Sequence, residues 1–489
     1  MKVTIQKAKN GKNTASIEGH FLHSNYAPVK EAQRFVENLS LPFIPTTIIL
    51  TEPALSYCAD FLKQKFPEIK TGVIRYTNDF SEYNSKFDFV INYYEHTDFE
   101  TYLENNFTEE QLLTTHFISW PASSQLFNET DKIVWNAIRQ AMIRAKTLLI
   151  TRQYFEKKWL YNSCNFLKYC SKTISFENTI DKPALIISSG PSLIPFIKLI
   201  KDNHNKFFII CLSSAISVCI KNGITPDLCM TTDGGYWAGE HLKALYKNDI
   251  PVAMPSEAYC PKKLLRKLTV MPLDYGDGIS SALLKIQNIQ KIHASRNGTV
   301  SGTALLFAYK YCTNNIYLCG LDMSAQKGFQ HTQPNELEKN SSYKDNRINT
   351  KQTRLGKSEL TNGSLDIYKD WFINNPLKTE ERKIFRLMEK EYCRNSLGWI
   401  KDITAKDFID LISKHSETSE IKFLKYDFQF DKSECLKLLY DSKKTIQWKK
   451  QLFPLDFVQA IHDPLNKEIE NRIETEWQKL QKRIERIFS

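Results

Sequence analysis

The feature that most restricts how this chain can fold is a repeated order of apolar strand, turn and helix between residues 181 and about 330. Parallel strands need a crossover helix, so this alternation is typical of a doubly wound, Rossmann-like α/β domain. Ligands bind such sheets beyond the carboxyl ends of the strands. The predicted strands are Ala184–Ser188, Phe207–Leu212, Leu228–Thr232, Pro251–Met254 and Asn315–Cys319.

The rest of the chain predicts three further segments around this domain, because 489 residues are too many for one ordinary core. Residues 1–128 read as a small N-terminal α/β domain, with strands at Thr47–Leu50, Gly72–Tyr76 and Asp88–Asn92. Residues 129–180 read as linker helices. The Rossmann-like domain is assigned residues 181–375, and residues 376–489 are predicted to form a helical C-terminal domain whose last helix starts at Asp463-Pro464.

Composition narrows the class of protein. The net charge of +11 suits phosphate-bearing ligands, but no dense Lys/Arg block marks a nucleic-acid surface. The 11 cysteines are odd in number and include no CxxC pair, which favours buried, reduced thiols. The N-terminal residues show no secretory signal and no apolar run is long enough to span a membrane. We therefore expect a cytoplasmic protein.

The first strand-to-helix junction of the central domain carries small polar residues. Ser189, Gly190, Pro191 and Ser192 follow the Ala184–Ser188 strand. A glycine there lets the backbone approach a ligand closely, and amides at a helix N-terminus can bind phosphate. The alternative interpretation is an ordinary turn in which Ser192 caps a helix.

A second junction of this kind precedes the helix predicted at Thr303–Tyr311. It predicts a cradle for phosphate or ribose, but it is not the GxGxxG pattern of dinucleotide-binding proteins. NAD and FAD are therefore not supported, and no P-loop occurs. The residues of this junction that are expected to bind the ligand are Asn297, Gly298, Thr299, Ser301 and Gly302.

Three titratable residues are candidates for chemistry. Asp233 and Asp322 each follow a predicted strand and can face the same crevice, although Asp233 can equally belong to a turn. His331 can accept a proton from an attacking hydroxyl, or be a surface residue without a role in catalysis. No His, Cys or carboxylate cluster has zinc spacing, so no metal site is predicted.

Taken in order, several motifs resemble the motility accessory factor (Maf) family of flagellin glycosyltransferases. The family's glycine-rich turn after the first strand is replaced here by Leu50–Tyr57, which argues against a ligand site in the N-terminal domain. The motifs that carry the resemblance are Leu22–Tyr26 with Pro28, Glu31 and Ala32; Ile186–Leu193; Asn222–Asp227 on to Asp233; Gly298–Val300 through Gly320–Asp322 to His331; and Tyr368 with Trp371 and Phe372.

The central domain is also similar to bacterial sialyltransferases that use CMP-sugars. The resemblance implies transfer of a nonulosonic acid, a relative of sialic acid, from a CMP-activated donor to Ser or Thr of flagellin, with no cofactor and no required metal. In this interpretation Gly190, Ser192 and the Gly298–Gly302 turn hold phosphate and ribose. Ser213 and Ser214 contact the base or ribose, Asp322 orients the donor or a loop, and His331 or Asp233 deprotonates the acceptor hydroxyl.

Two other functions remain open. The 6-hydroxymethylpterin pyrophosphokinases share the GPSL and GxD core and would use ATP with Mg²⁺, although they are compact single-domain chains. A non-catalytic flagellin-binding chaperone, with the C-terminal helices as its docking surface, is the other alternative.

Overall fold

The computed structural model describes residues 3–324, 331–342, 346–348, 364–380, 382–413 and 421–489. The chain divides into two compact units. Unit 1 comprises Met1–Glu156 and Lys449–Leu480, and unit 2 comprises Lys157–Trp448 and Gln481–Ser489. These bounds differ from the four predicted segments, because residues near both termini of the chain belong to unit 1.

Unit 1 contains an antiparallel sheet and a parallel one in its described part. β1, β2 and β3 pair antiparallel, and the parallel sheet has the strand order β6-β5-β4-β7. The strands are β1 (Val3–Lys7), β2 (Asn13–Ile17), β3 (His20–Phe21), β4 (Thr47–Thr51), β5 (Lys70–Arg75), β6 (Phe89–Asn92) and β7 (Thr115–Ser119). The helices that begin in this part of the chain are α1 (Pro28–Glu37), α2 (Tyr57–Lys65), α3 (Phe99–Asn106), α4 (Glu109–Thr114), α5 (Pro121–Leu126) and α6 (Asn128–Tyr169).

The three strands predicted for the N-terminal region are confirmed, with small shifts at their ends. Ile48, Ile49 and Leu50 of β4 are fully buried, so both faces of this strand are covered, as is typical of a parallel sheet. The predicted linker segment is largely a single helix, α6, of 42 residues.

In the described part of unit 2, eleven strands form one sheet. Its order is β17-β16-β15-β9-β10-β11-β12-β13-β8-β18, with β14 beside β13, and only the pairing of β18 with β8 is antiparallel. The strands are β8 (Lys172–Ser175), β9 (Ala184–Ile187), β10 (Phe208–Leu212), β11 (Leu228–Met230), β12 (Val252–Pro255), β13 (Thr269–Asp274), β14 (Ile292–His293), β15 (Ile316–Cys319), β16 (Ile384–Leu387), β17 (Lys401–Ile403) and β18 (Leu424–Asp427).

This order locates a crevice. From β9 the chain proceeds outward through β10 to β13, and then returns to place β15 on the other side of β9. The strand order therefore reverses between β9 and β15. Ligands bind at this reversal point in doubly wound sheets, beyond the carboxyl ends of the strands.

The remaining helices connect or follow these strands. α12 packs against β9, β10 and β15. The helices are α7 (Ile197–Asp202), α8 (Ile216–Lys221), α9 (Ala238–His241), α10 (Lys262–Leu265), α11 (Gly278–Ile286), α12 (Val300–Tyr311), α13 (Glu336–Ser342), α14 (Ser364–Asn374), α15 (Ala405–Ile412), α16 (Lys432–Tyr440), α17 (Ser442–Leu452), α18 (Pro454–His462) and α19 (Lys467–Phe488). Short 3₁₀ turns at Pro191–Phe196 and Ser213–Ala215 follow β9 and β10.

The prediction that residues 376–489 are helical is wrong in part, because β16, β17 and β18 join the central sheet. β8 likewise lies within the predicted linker. These strands have three or four residues each, too few for an alternating pattern to appear in the sequence. The last helix begins at Lys467 rather than near Pro464, and Leu465 is 91% exposed.

The thiol prediction is confirmed: all 11 cysteines are free and every one except Cys393 is buried. Within the described ranges, no helix combines the length and the apolar composition that crossing a membrane requires.

Candidate functional site

Two glycine turns meet at the reversal point of the unit 2 sheet. The first turn, Ser189–Ser192, follows β9, and the second turn, Gly320–Asp322, follows β15. The Gly190 amide donates a 2.8 Å hydrogen bond to the Gly320 carbonyl, and the Ser188 amide donates to the Cys319 carbonyl at 2.8 Å. A Cβ on Gly190 would lie 2.5 Å from the Gly320 oxygen and 2.6 Å from Asp322 Oδ1. Glycine is therefore required here for a close approach of two backbone segments.

Asp322 holds the first turn in place. Its Oδ2 accepts a 3.0 Å hydrogen bond from the Ser192 amide, and its Oδ1 accepts one from the Ser192 hydroxyl. Burial raises the pKa of Asp322, while the Ser192 bonds and the charge of Arg386 oppose that shift. With both oxygens engaged by Ser192, this carboxylate fits a role in orienting the turn better than one in proton transfer.

The predicted phosphate-binding amides of this turn do not face a ligand. The amides of Gly190 and Ser192 both donate within the protein. The reason is the close pairing of the turn with Gly320 and Asp322, which offers internal acceptors. Contacts to a ligand at this turn therefore fall to hydroxyl groups, and Ser189 Oγ lies 2.9 Å from Ser214 Oγ after β10, whereas Ser213 is buried beside it.

A buried arginine that the sequence analysis missed supports the second turn. Arg386 in β16 is fully buried and binds both oxygens of Asp402, at 2.6 and 2.8 Å. It also binds the Asn395 carbonyl at 2.7 Å. The Asn395 amide group in turn donates to the carbonyls of Asp322 and Met323. The only sequence signal for this network is one charged residue in an apolar strand.

The segment after His331 attaches to the first turn. The Thr332 amide donates to the Ser189 carbonyl at 2.6 Å, and its hydroxyl donates to the Gly190 carbonyl at 2.9 Å. The Asn335 side chain donates to the Ser214 carbonyl at 3.2 Å. Thr332 and Asn335 are both buried. The segment therefore has a fixed position beside three of the predicted ligand contacts, Ser189, Gly190 and Ser214.

The Thr332→Val variant should show how much this attachment matters. Valine keeps the shape of the side chain but removes its hydrogen-bonding hydroxyl, so we expect a loss of about 1 kcal/mol in the free energy of unfolding. We also expect the affinity of the protein for the predicted nucleotide ligand to fall several-fold, because the 331–335 segment becomes less firmly attached. Denaturant unfolding and calorimetric titration measure the two effects, and unchanged donor affinity would separate this segment from the site.

The second predicted junction lies at the N-terminus of α12. Thr299 caps the helix, accepting from the Gly302 amide at 2.9 Å, and Asn297 Oδ1 accepts from the Thr299 amide at 2.9 Å. A Cβ on Gly302 would lie 2.2 Å from Asn297 Oδ1. Because α12 leads directly into β15, its N-terminus lies at the carboxyl edge of the sheet, the same edge as Gly190. Gly298 lies in the same turn. The Ser301 hydroxyl donates a 3.2 Å hydrogen bond to the Thr299 hydroxyl.

The two candidate bases differ in surroundings. Asp233 is exposed, and its Oδ1 accepts the Gly235 amide at 2.7 Å, so it shapes the turn after β11. His331 Nδ1 lies 3.2 Å from Glu338 Oε1. His241 in α9 is not among the predicted site residues. Its pKa is lowered to about 4 by burial and by the charge of nearby His331. His241 is therefore neutral near pH 7.

Comparison with known proteins agrees with this class of fold. Residues 157–328 match the family model described as 6-hydroxymethylpterin diphosphokinase MptE-like. An uncharacterized protein of Treponema pallidum (strain Nichols) is 28% identical over 312 residues, which cover 63% of this chain and 67% of that protein.

One solved structure resembles the chain over nearly its full length. It is the Maf glycosyltransferase from Magnetospirillum magneticum AMB-1, with a TM-score of 0.51 and 13% sequence identity, covering 99% of this chain and 92% of that one. The resemblance predicted from the sequence, to Maf glycosyltransferases and to the pterin diphosphokinase-like proteins, is thus confirmed. At this identity the likeness establishes a shared fold.

Proposed function

We propose that this protein is a glycosyltransferase that moves a nonulosonic sugar from a CMP-activated donor to a Ser or Thr hydroxyl of flagellin. The observation that carries the proposal is the paired glycine turn at the reversal point of a sheet whose fold is similar to that of a Maf glycosyltransferase. The free thiols fit a reducing cytoplasm, where we place the protein.

The carboxyl edge of the sheet offers the groups that such a donor needs. The hydroxyls of Ser189 and Ser214 lie beside the first turn and suit the ribose or base. The N-terminus of α12, with Ser301 in its first turn, suits the phosphate, because helix amides and the helix dipole both favour an anion. Asp322 keeps the two glycine turns in register.

The proposed transfer is one displacement at the anomeric carbon. The acceptor oxygen bonds to that carbon, the bond from carbon to the phosphate oxygen breaks, and the electron pair leaves with CMP. The hydroxyl proton passes to His331, or to Asp233 in the alternative assignment. Because attack comes from the face opposite CMP, the product has inverted configuration. Preorganised dipoles around the leaving phosphate stabilise its charge without requiring a metal.

The direct test is transfer in a purified system. The full-length protein, a CMP-nonulosonic acid and unmodified flagellin are incubated, and the intact mass of flagellin is measured. We expect added mass in steps of one sugar residue, absent when the donor is omitted. Flagellin from cells with and without this protein should show the same difference. Flagellin of identical mass in both comparisons would rule the proposal out.

A second candidate function is favoured by the match of residues 157–328 to the pterin diphosphokinase-like family model. It predicts transfer of diphosphate from ATP to 6-hydroxymethyl-7,8-dihydropterin in the presence of Mg²⁺. Incubation with these substrates, followed by detection of AMP, distinguishes the two. AMP formation that depends on the pterin would favour the kinase, and the lack of it would favour the transferase.

A further inference from the structure

Glu338 contacts His331 at two points and Gln333 at a third. Its Oε1 lies 3.2 Å from His331 Nδ1 and also accepts the His331 amide at 2.7 Å. Its Oε2 accepts from the Gln333 side chain at 2.7 Å. Only 15% of the Glu338 side chain is exposed, against 31% for His331. Backbone and ring of the histidine are thus held by one carboxylate.

This contact sets the state of the imidazole. A carboxylate beside Nδ1 accepts a hydrogen bond from the Nδ1–H group, which leaves Nε2 with a free lone pair. Nε2 is then the nitrogen that can take a proton from another molecule. A neutral hydrogen-bond acceptor in place of the carboxylate would stabilise the protonated, positively charged ring less.

The contact between Glu338 and His331 also has a fixed place in the fold. Asn335 Oδ1 accepts from the amides of Leu337 and Glu338 at 3.2 Å each, and so caps the helix that carries Glu338. The same Asn335 side chain donates to Ser214, and Thr332 donates to Gly190. His331 and Glu338 therefore belong to one short folded arm attached to the turns after β9 and β10.

We propose that Glu338 is a positioning residue that makes His331 the base of the transfer reaction. This inference rests on the proposed function. The acceptor O–H gives its proton to His331 Nε2 as its oxygen bonds to the anomeric carbon and CMP departs with the bonding pair. Glu338 keeps Nδ1–H oriented and stabilises the resulting imidazolium, while its own carboxylate stays ionised.

The kinetic test compares Glu338→Gln and Glu338→Ala. Gln keeps an acceptor without the charge, so kcat should fall about 10-fold, and about 100-fold for Ala, within the range of general-base catalysis. The KM for the CMP-sugar should stay within about 2-fold, because Glu338 acts on the histidine and not on the donor. Glu336→Ala, two residues away on the same helix, is the matched control and should keep kcat.

A double-mutant cycle separates positioning from mere folding. If Glu338 acts through His331, His331→Ala combined with Glu338→Ala should be no slower than His331→Ala alone. Additive losses, or a rise in KM with kcat unchanged, would overturn the proposal.

A readout without sugar keeps this inference distinct from the proposed function. Diethyl pyrocarbonate acylates the unprotonated imidazole nitrogen, and peptide mass spectrometry follows His331 by itself. At a pH where the ring is unprotonated in both proteins, removing the carboxylate in Glu338→Ala should slow His331 acylation about 3-fold, because Nε2 loses the electron density that the Nδ1–H hydrogen bond to a carboxylate supplies. Exposed His204 should react at an unchanged rate. An unchanged rate of His331 acylation would contradict the positioning role of Glu338. If this rate changes but the wild-type protein transfers no sugar, only the proposed function is contradicted.

Discussion

Replacing Gly190 with alanine is expected to weaken the binding of CMP at least about 100-fold, equivalent to about 2.7 kcal/mol. The new Cβ would lie 2.5 Å from the Gly320 carbonyl oxygen and 2.6 Å from Asp322 Cγ. Neither of these groups can move freely. The carbonyl belongs to the backbone of Gly320, which has φ +71°, and the Asp322 side chain is held by Ser192. The turns that contain Gly190 and Gly320 must therefore move apart, which changes the shape of the proposed nucleotide-binding site.

Calorimetric titration of CMP into the wild type and Gly190→Ala measures this effect. Overpacking should also lower the free energy of unfolding by about 1–3 kcal/mol, so binding is compared at a temperature where both proteins are folded. Ile194→Ala is the matched control, since this side chain lies in the same 3₁₀ turn but is 51% exposed. It should bind CMP as the wild type does. Equal CMP affinity in Gly190→Ala would remove the glycine turn from the donor site.

The fold of the central domain was largely predictable because its strands are apolar runs bounded by turn residues. Ala184–Ile187 and Ile316–Cys319 lie within one residue of their predicted ends. The edge of the sheet was not predictable. Lys401–Ile403 and Leu424–Asp427 are short and partly polar, and they are strands because a neighbouring strand offers them hydrogen bonds. Tertiary pairing, which a local pattern does not record, decides such segments.

The site was predictable where chemistry is concentrated in short motifs and not where it depends on distant partners. Gly190 and Asp322 are motif residues, and the structure brings them together. Thr332 touches Gly190 from 142 positions away, and although its neighbour His331 is a motif residue, the sequence gives no sign of this contact. The direction of the turn amides was also not predictable, because it depends on which acceptor the opposing turn presents.

A turn without glycine in unit 1 shows the same limit. The structure gives Glu52, Ala54 and Ser56 positive φ angles of 37°, 44° and 57°, in the segment that replaces the glycine-rich turn of the Maf resemblance. Each such residue costs about 1–3 kcal/mol, so neighbouring contacts must compensate. His23 Nε2 accepts from the Leu55 amide at 3.1 Å, and Arg75 supplies three side-chain hydrogen bonds to the segment.

Arg75 contacts all three positive-φ residues of this segment. It is almost fully buried, and it donates to Glu52 Oε1 at 2.9 Å, to the Ala54 carbonyl at 3.0 Å and to Ser56 Oγ at 2.8 Å. A fourth bond, at 2.8 Å, reaches Asn84. All three strained residues therefore depend on one guanidinium group.

Arg75→Met is accordingly expected to lower the free energy of unfolding by about 3–5 kcal/mol at pH 7, because it leaves the buried Glu52 carboxylate without its counter-ion. Denaturant unfolding measures the loss. Arg139→Met removes an exposed arginine of α6 and should change stability by less than about 0.5 kcal/mol. Adding Glu52→Gln to Arg75→Met should recover part of the loss, since no buried charge then remains.

The pH dependence of Arg75→Met tests the cause. Burial already raises the pKa of Glu52 in the folded protein, and Arg75 opposes that shift, so removing Arg75 raises the pKa further. A carboxyl whose folded-state pKa lies above its unfolded value is held protonated by folding, and the folded state loses stability as pH rises past the unfolded pKa. The deficit of Arg75→Met relative to the wild type should therefore be smaller near pH 4 than at pH 7, and the part that remains near pH 4 reflects the lost hydrogen bonds. A deficit that stays constant over this range would mean that lost packing and hydrogen bonds, and not the uncompensated charge of Glu52, destabilise the variant.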